Sequence, residues 1–131
     1  MAEVEDVTDF DTIDWSEFIR SLIKKTKGDS IHWSRAHQPQ AVTREKIVGP
    51  AYETEFGDKP FHVRVFRYEY RYYTDIDEFE TRDEVAIEFV SSDGDPEWRL
   101  PQSPLCSSLL NVVQFQSSNV SEAVRQLEQV S

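Results

Sequence analysis

Carboxylates are the side chains best placed to do chemistry in this sequence, and they are densest between Asp75 and Glu80. Clustered carboxylate oxygens suit Ca²⁺, and the EF-hand loop spreads them over twelve residues with glycine at position six and glutamate at position twelve. Counted from Asp75, those positions hold Glu80 and Ala86. The spacing fails at both, so the pattern favours a solvated acidic loop over a calcium site.

The histidines and the single cysteine do not show the spacing of a metal site. The sequence has no HExxH motif, and Cys106 alone cannot build a zinc ribbon, which needs several thiolates. His32, His37 and His62 could share a metal only if the fold brought them together, and we favour surface or packed histidines. The sequence therefore predicts no metal ligands.

No arrangement typical of covalent or acid–base catalysis occurs in the sequence. No serine lies in the glycine-flanked elbow that exposes a nucleophile, and four glycines do not form a phosphate-cradling loop. Glu53 and Glu55 lie two residues apart on one strand face, but a chain with 25 acids contains such pairs by composition alone. We expect no catalytic residues and no cofactor, and a protein that is not an enzyme.

The chain is strongly acidic, with a net charge of −11 at pH 7. Such a charge keeps a protein soluble and repels phosphate backbones, so direct nucleic-acid binding is disfavoured while a basic partner protein is compatible. No apolar stretch approaches the roughly 20 residues that span a bilayer. The acidic N-terminus also lacks a signal-peptide pattern. These features predict a cytoplasmic protein that does not contact membranes.

The length of 131 residues and the 38% hydrophobic content predict one domain with a substantial core. Residues 1–12 are rich in acids and show little apolar periodicity, so they are expected to form a mobile acidic tail. Residues 13–131 then form a single α+β domain. Cys106, as the only cysteine, has no disulfide partner within the chain and is expected to be a buried, inert thiol.

The densest run of β-branched and aromatic residues, 61–74, is predicted to pair antiparallel with 84–91 at the centre of a sheet. The alternation of apolar residues changes phase between Val65 and Phe66, and a one-residue slip moves every later side chain to the other face. The strand either crosses between two packed layers or contains a β-bulge near these two residues. We favour the bulge because the chain is too short for two large sheets.

The bulge interpretation assigns the later side chains of the central strand to two faces. Four aromatic residues would continue the core face: Phe66, Tyr68, Tyr70 and Tyr72. Arg67, Glu69 and Arg71 would then point outward, with charges that alternate in sign.

Helix signals flank this sheet on both sides. A capping box begins at Asp14, and Gly28 supplies a left-handed stop for the first helix. Ser103 before a proline predicts the start of a second helix, and Asn119 begins a second capping box for a third. Shorter strands are predicted at 30–36, 42–48, 51–56 and 97–100. The fold class is α+β, an antiparallel β-meander of three to five strands with an N-terminal helix and two C-terminal helices packed on one face.

Tyrosine, tryptophan and arginine are enriched at the hot spots of protein interfaces. In this chain they concentrate near the end of the central strand and on the last predicted strand. The sequence therefore predicts a partner-binding surface formed by Arg67, Arg71, Tyr72, Tyr73 and Trp98. This surface favours a non-catalytic interaction module, which would be an adaptor, an accessory subunit or a homodimer that binds a protein partner.

Two alternatives of other classes stay open at this point. The net charge of −11 is compatible with an acidic inhibitor or nucleic-acid mimic that acts on a basic protein. A pocket between the helices and the sheet, edged by Trp33, His62 or Trp98, would instead make the chain a small-ligand-binding domain or a minor enzyme.

Overall fold

Five antiparallel strands and three helices make up the chain, in a computed structural model that describes residues 12–37 and 45–131. The elements in chain order are α1 (Trp15–Lys27), β1 (Ser34–Ala36), β2 (Glu45–Phe56), β3 (Phe61–Tyr73), β4 (Phe79–Val90), β5 (Pro96–Arg99), α2 (Pro104–Ser118) and α3 (Val120–Glu128). Each strand pairs with the next one along the chain. The predicted α+β class, with its meander, its N-terminal helix and its two C-terminal helices, is confirmed. The predicted acidic tail lies almost wholly outside the described residues, as does the start of the predicted strand 42–48.

The first helix begins as its capping signal predicts but ends differently. The Asp14 side chain accepts a hydrogen bond from the Glu17 backbone N–H at 3.0 Å, which satisfies one of the unpaired donors of the first turn. The prediction of a left-handed Gly28 is wrong, because its φ is −84°. Asp29 takes the left-handed conformation instead, with φ 61°. Aspartate tolerates this conformation because its short polar side chain can form local hydrogen bonds.

The β-bulge predicted in the central strand lies elsewhere. The pairing of β3 with β4 is regular from His62–Val90 to Tyr73–Phe79, so the bulge near residues 65 and 66 is wrong. The register shift lies in β2 between Val48 and Tyr52, beside Gly49, whose φ of 78° favours glycine. β2 therefore joins residues 45–48 of the first predicted strand to the strand predicted at 51–56 through this irregularity.

Because β3 is regular, its successive side chains alternate between two faces of the sheet. Val63 and Val65 pack in the main core together with residues of α1 and α2. Phe66 and Tyr68 belong to a separate cluster on the opposite face, which we call the second face. The prediction that Phe66, Tyr68, Tyr70 and Tyr72 continue the core face is therefore wrong, and Arg67, Glu69 and Arg71 lie on the side of the sheet that carries the helices. The change of phase in the sequence arises because the first half of β3 carries its apolar side chains on the core face. The second half carries them on the second face.

The helical layer is tied to the start of β1 by one glutamine of α2. Gln116 Oε1 accepts a hydrogen bond from the Trp33 backbone N–H at 3.0 Å, and its Nε2 donates to the carbonyls of Ile31 and Thr26 at 2.8 and 3.2 Å. Trp33 Nε1 donates in turn to Thr26 Oγ1 at 2.9 Å. These bonds pair the polar groups of a nearly buried corner, where an unpaired group would be costly.

The two C-terminal helices differ in how much they bury. Cys106 of α2 is 1% exposed, as predicted for an inert thiol, and Ser103 caps α2 by accepting from the Leu105 backbone N–H at 3.1 Å. Asn119 joins α2 to α3 in the left-handed conformation with φ 60°. The capping box predicted at Asn119 is wrong, because its side chain makes no capping hydrogen bond. None of the residues of α3 is buried.

Candidate functional site

Four charged side chains form a connected set on the second face, and we call Glu45, Arg64, Glu88 and Arg99 the ionic network. Arg64 Nη2 lies 3.1 Å from Glu88 Oε1, and Arg99 Nη2 lies 2.8 Å from Glu88 Oε2. Arg99 Nη1 continues to Glu45 Oε2 at 3.1 Å. Burial by itself lowers the pKa of Arg99, but the hydrogen bonds to Glu45 and Glu88 outweigh it and raise that pKa. The guanidinium therefore stays charged within the network.

The ionic network lies over two aromatic rings. Arg99 Cζ is 4.8 Å from the Tyr68 ring centroid and 5.7 Å from that of Phe66, within the range of cation–π attraction. Phe66 is 1% exposed and Tyr68 is 6% exposed. The middle of the second face is therefore closed by charged side chains, and its aromatic residues are not open to a partner.

Glu84 is a third carboxylate that is engaged on this face, after Glu45 and Glu88. Tyr68 Oη donates to Glu84 Oε1 at 2.9 Å, and Tyr70 Oη donates to Glu84 Oε2 at 2.9 Å. Burial and then the bond to Glu84 raise the pKa of Tyr68, whereas the bond to Glu84 and then burial raise the pKa of Tyr70. Both oxygens of Glu84 serve the packing of the tyrosines, which does not suit the carboxylate to acid–base chemistry.

The end of the β3–β4 ladder forms a projecting structure that we call the distal hairpin, residues 71–83. In the described residues the pairing of β2 with β3 reaches Glu45–Tyr70, and that of β5 with β4 begins at Glu88. Within the described residues, β3 and β4 therefore pair only with each other beyond Tyr70. The acidic segment between the predicted strands 61–74 and 84–91 is shorter than expected, since β4 already begins at Phe79.

Each side of the distal hairpin carries an aromatic ring held by an arginine. On one side, Arg82 Cζ lies 3.5 Å from the Tyr72 ring centroid, and Arg82 Nη2 is paired with Glu80 Oε2 at 3.0 Å. On the other side, Arg71 Cζ lies 4.5 Å from the Phe79 centroid, which is 5.5 Å from that of Tyr73. The exposed fractions are 44% for Tyr72, 47% for Tyr73, 45% for Phe79 and 88% for Ile76 at the turn. The distal hairpin thus presents preformed aromatic surface to solvent.

The five residues predicted to bind a partner do not form one surface. Arg71, Tyr72 and Tyr73 come together on the distal hairpin, although Tyr72 lies on one side and the other two on the opposite side. Arg67 lies further down the ladder, where its Nη1 is paired with Asp83 Oδ2 at 3.0 Å. Trp98 packs on the Trp15 ring with a centroid distance of 4.9 Å. Trp98 pairs with Phe89, and Phe89 with Val63, so it lies about 30 Å from Tyr72 along the strand direction.

Two exposed residues of the distal hairpin were missed by the sequence reasoning. Ile76 and Phe79 lie in the segment interpreted as a polar loop. For Phe79 a signal existed, because residues 79, 85, 87 and 89 are apolar and lie at even spacings on the same strand face. The acids between them hid that alternation.

Two possibilities that the sequence left open, a shared metal ion and a pocket, involve residues whose positions the structure describes. In residues 12–37 and 45–131, no group of three histidine, cysteine or acidic side chains lies close enough to hold a metal ion. Trp33 is 6% exposed and fills the main core, and Trp98 covers Trp15, so neither edges an open cleft.

Among the described residues, no helix combines the length and the apolarity that crossing a bilayer requires. The chain matches no family model, no curated protein and no solved structure.

Proposed function

We propose that this chain is a non-catalytic protein-interaction module, and that its distal hairpin binds a basic surface of a partner protein. The observation that carries the proposal is the hairpin itself. It projects beyond the rest of the described sheet and exposes Tyr72, Tyr73, Ile76 and Phe79. Monomeric proteins rarely expose large contiguous apolar patches, and the largest exposed patch is often a binding site.

The arrangement of the rings supports a binding role because it is fixed before a partner arrives. Arg82 stacks on Tyr72 and is held by Glu80, while Arg71 stacks on Phe79. Side chains that are already ordered lose less conformational entropy on binding, so more of the contact energy appears as affinity. Tyrosine and arginine pairs of this kind are typical of interface hot spots.

The charge of the distal hairpin indicates the chemistry of the partner. Residues 71–83 contain five acids and two arginines, and neither lysine nor histidine. Arg82 is paired with Glu80, and Arg71 is stacked on an aromatic ring, so the unpaired charge at the turn belongs to Asp75, Asp77 and Glu78. A partner surface with lysine or arginine around an apolar centre complements this pattern.

The second candidate is an acidic inhibitor of a nucleic-acid-binding protein, which would use the same surface. The concentration of acids in the distal hairpin favours it. The two candidates differ in one measurable respect, because an inhibitor of this kind competes with nucleic acid for its target and an adaptor does not.

The test is site-specific photocrosslinking in cells that express the full chain, followed by binding measurements with the purified partner. A photoreactive residue at Ile76 should trap a basic protein, whereas the same residue at the exposed Ser107 of α2 should not. The double variant Tyr72→Ala/Phe79→Ala should then weaken binding to that purified protein by at least about tenfold.

The matched control is Phe61→Ala, since Phe61 is 57% exposed at the opposite end of β3. It should leave the affinity within about twofold of the unaltered chain, as expected for a side chain outside the interface. Crosslinks from Ser107 alone, or equal affinities for the two variants, would count against the distal hairpin as the binding surface.

A further inference from the structure

A second uncovered surface lies on α3, at a distance in sequence from the distal hairpin. Val120, Val124 and Leu127 are 42%, 52% and 71% exposed, and with Ala123 they follow the spacing of one helical face. We call these four residues the α3 stripe. A helix of nine residues has little stability by itself in water. Packing its apolar face against another surface would stabilise it.

The charged residues of α3 lie away from the α3 stripe. Glu122 and Arg125 form an ion pair with each other, and Gln126 Nε2 donates to Glu122 Oε2 at 3.0 Å. On a helix with 100° per residue, Glu122 and Arg125 point roughly opposite to the centre of the stripe. The stripe therefore carries no charge that would repel an identical stripe.

We propose that α3 packs antiparallel against α3 of a second copy of this chain. A two-fold axis between Ala123 and Val124 brings Val120 against the partner's Leu127 and Ala123 against the partner's Val124. Such a contact is self-complementary, since both chains use the same residues. This contact uses no residue of the distal hairpin. Its failure would therefore leave the proposed function unaffected.

Charge complementarity favours this occupant and this orientation. The antiparallel register sets Glu128 beside the N-terminus of the partner's α3, at Asn119 and Val120. Asn119 provides no side-chain cap there, so the first N–H groups of α3 lack the acceptor that a capping residue would supply. A carboxylate near a helix N-terminus interacts favourably with the helix dipole. A parallel pair would instead bring both N-termini together.

The size of the contact indicates a weak, concentration-dependent dimer. A nine-residue helix is about 13 Å long, and two such helices bury less than the roughly 1,200 Å² of a standard interface. Phe115 of α2, which is 46% exposed beside a groove of about 540 Å³, enlarges the apolar surface near the start of α3. The net charge of −11 opposes association, so added salt strengthens the dimer.

Analytical ultracentrifugation of the full chain over a range of concentrations tests the proposal. A reversible monomer–dimer equilibrium is expected, and its dissociation constant should fall when the salt concentration rises. Val124→Glu should raise the dissociation constant by at least about thirtyfold, because it buries a carboxylate in the contact. Ser107→Glu adds the same charge on the exposed face of α2 and should change the constant by less than about threefold, since charges at the surface are screened.

Disulfide trapping distinguishes the orientation and does not depend on the charge variant folding well. Ala123→Cys should form a disulfide-linked dimer under mild oxidation, because the axis brings the two copies of this position within bonding reach. Leu127→Cys should not, since antiparallel packing separates its two copies by about 10 Å along the helices. The native Cys106 is 1% exposed and gives little background. A strict monomer, equal trapping at both positions or equal effects of the two glutamate variants would overturn the proposal.

Discussion

Arg99 on β5 and Glu45 on β2 meet with Nη1 and Oε2 3.1 Å apart, although β3 and β4 lie between their strands. Strands three positions apart are separated by about 14 Å in a flat sheet, so the two side chains reach toward each other across the second face. Arg99 crosses above Tyr68, whose ring centroid is 4.8 Å from its Cζ. The pair links the edge strand to the far half of the sheet and covers the aromatic layer between them.

The first prediction concerns Glu88, the carboxylate that Arg64 and Arg99 share. In Glu88→Gln, the charge of Arg64 loses its anion while its side chain stays 5% exposed. Removing one partner of a buried ion pair typically costs about 3–5 kcal/mol, because the other charge is left uncompensated. Urea unfolding at neutral pH should show a loss of stability of this size.

Asp83→Asn is the matched control for Glu88→Gln. Asp83 is paired with Arg67 at 3.0 Å, but the two side chains are 53% and 36% exposed. Exposed pairs contribute about 0–1 kcal/mol, so this variant should unfold almost as the unaltered chain does. Equal losses of stability in the two variants would contradict the prediction. They would mean that the burial of Glu88 does not increase the contribution of its ion pairs to stability.

The ionic network also explains which part of the fold could not be predicted from the sequence. Local signals sufficed for the cap at Asp14, the start of α2 at Ser103 and the alternation that defines the meander. The face on which Phe66 and Tyr68 pack depends on Arg99, more than thirty residues away in the chain. A phase change in one strand cannot distinguish a bulge from a second apolar face until such distant residues are known.

The second prediction concerns the pH dependence of stability. Burial and the bond to Glu84 raise the pKa of Tyr68 above its ordinary value, so folding favours the protonated hydroxyl. That contribution is fully present below about pH 10, the pKa of an unperturbed tyrosine, and is lost as the pH rises above it. Tyr68→Phe should therefore be less stable at neutral pH by about 1 kcal/mol, and should lose less stability between about pH 9 and pH 11.

Glu84→Gln tests the cause of the Tyr68 effect. The charge of Glu84 contributes to the raised pKa of both Tyr68 and Tyr70. Without that charge, both hydroxyls should ionise at lower pH in a spectrophotometric titration of the folded protein. An unchanged titration curve would mean that Glu84 does not hold the two tyrosines in their protonated forms.

The third prediction concerns Gln116, which pairs one backbone N–H and two carbonyls between α1 and β1. Gln116→Ala leaves these groups without their partner in a partly buried corner. A net contribution of about 1 kcal/mol per hydrogen bond gives an expected loss of about 2–3 kcal/mol. Chemical denaturation measures the loss, and hydrogen exchange of the Trp33 amide should accelerate.

Gln114→Ala is the control for Gln116, since Gln114 lies two residues earlier on α2 and is also half-buried. A substitution away from a hydrogen-bond network usually changes stability by no more than about 0.5 kcal/mol. A loss of similar size at both positions would mean that helix propensity, rather than the contacts with Trp33, accounts for the effect.

The candidate site was predicted in part, for a physical reason. Arg71, Tyr72 and Tyr73 lie together on the distal hairpin because neighbours on one strand stay neighbours in the fold, and their role in binding stays a prediction. Trp98 was added from residue type alone, and its contact with Trp15 depends on how α1 crosses the sheet. The exposure of the distal hairpin depends on the register of β5 with β4, whose pairing begins only at Glu88 and which no local pattern specifies.

The last prediction compares two glycines that sequence reasoning would treat alike. Gly49 has φ 78°, and a Cβ added there would meet nothing within 4 Å, so an alanine would be disfavoured by backbone conformation alone. Gly28 has φ −84°, and its added Cβ would lie 3.4 Å from the Lys24 carbonyl oxygen, which is an ordinary contact. Gly49→Ala should therefore lose about 1–2 kcal/mol. Gly28→Ala should be neutral or gain up to about 1 kcal/mol, because alanine restricts the unfolded chain. Thermal and urea unfolding of both variants measure the difference. A larger loss of stability at Gly28 would contradict the prediction, since its φ is one that alanine can also adopt.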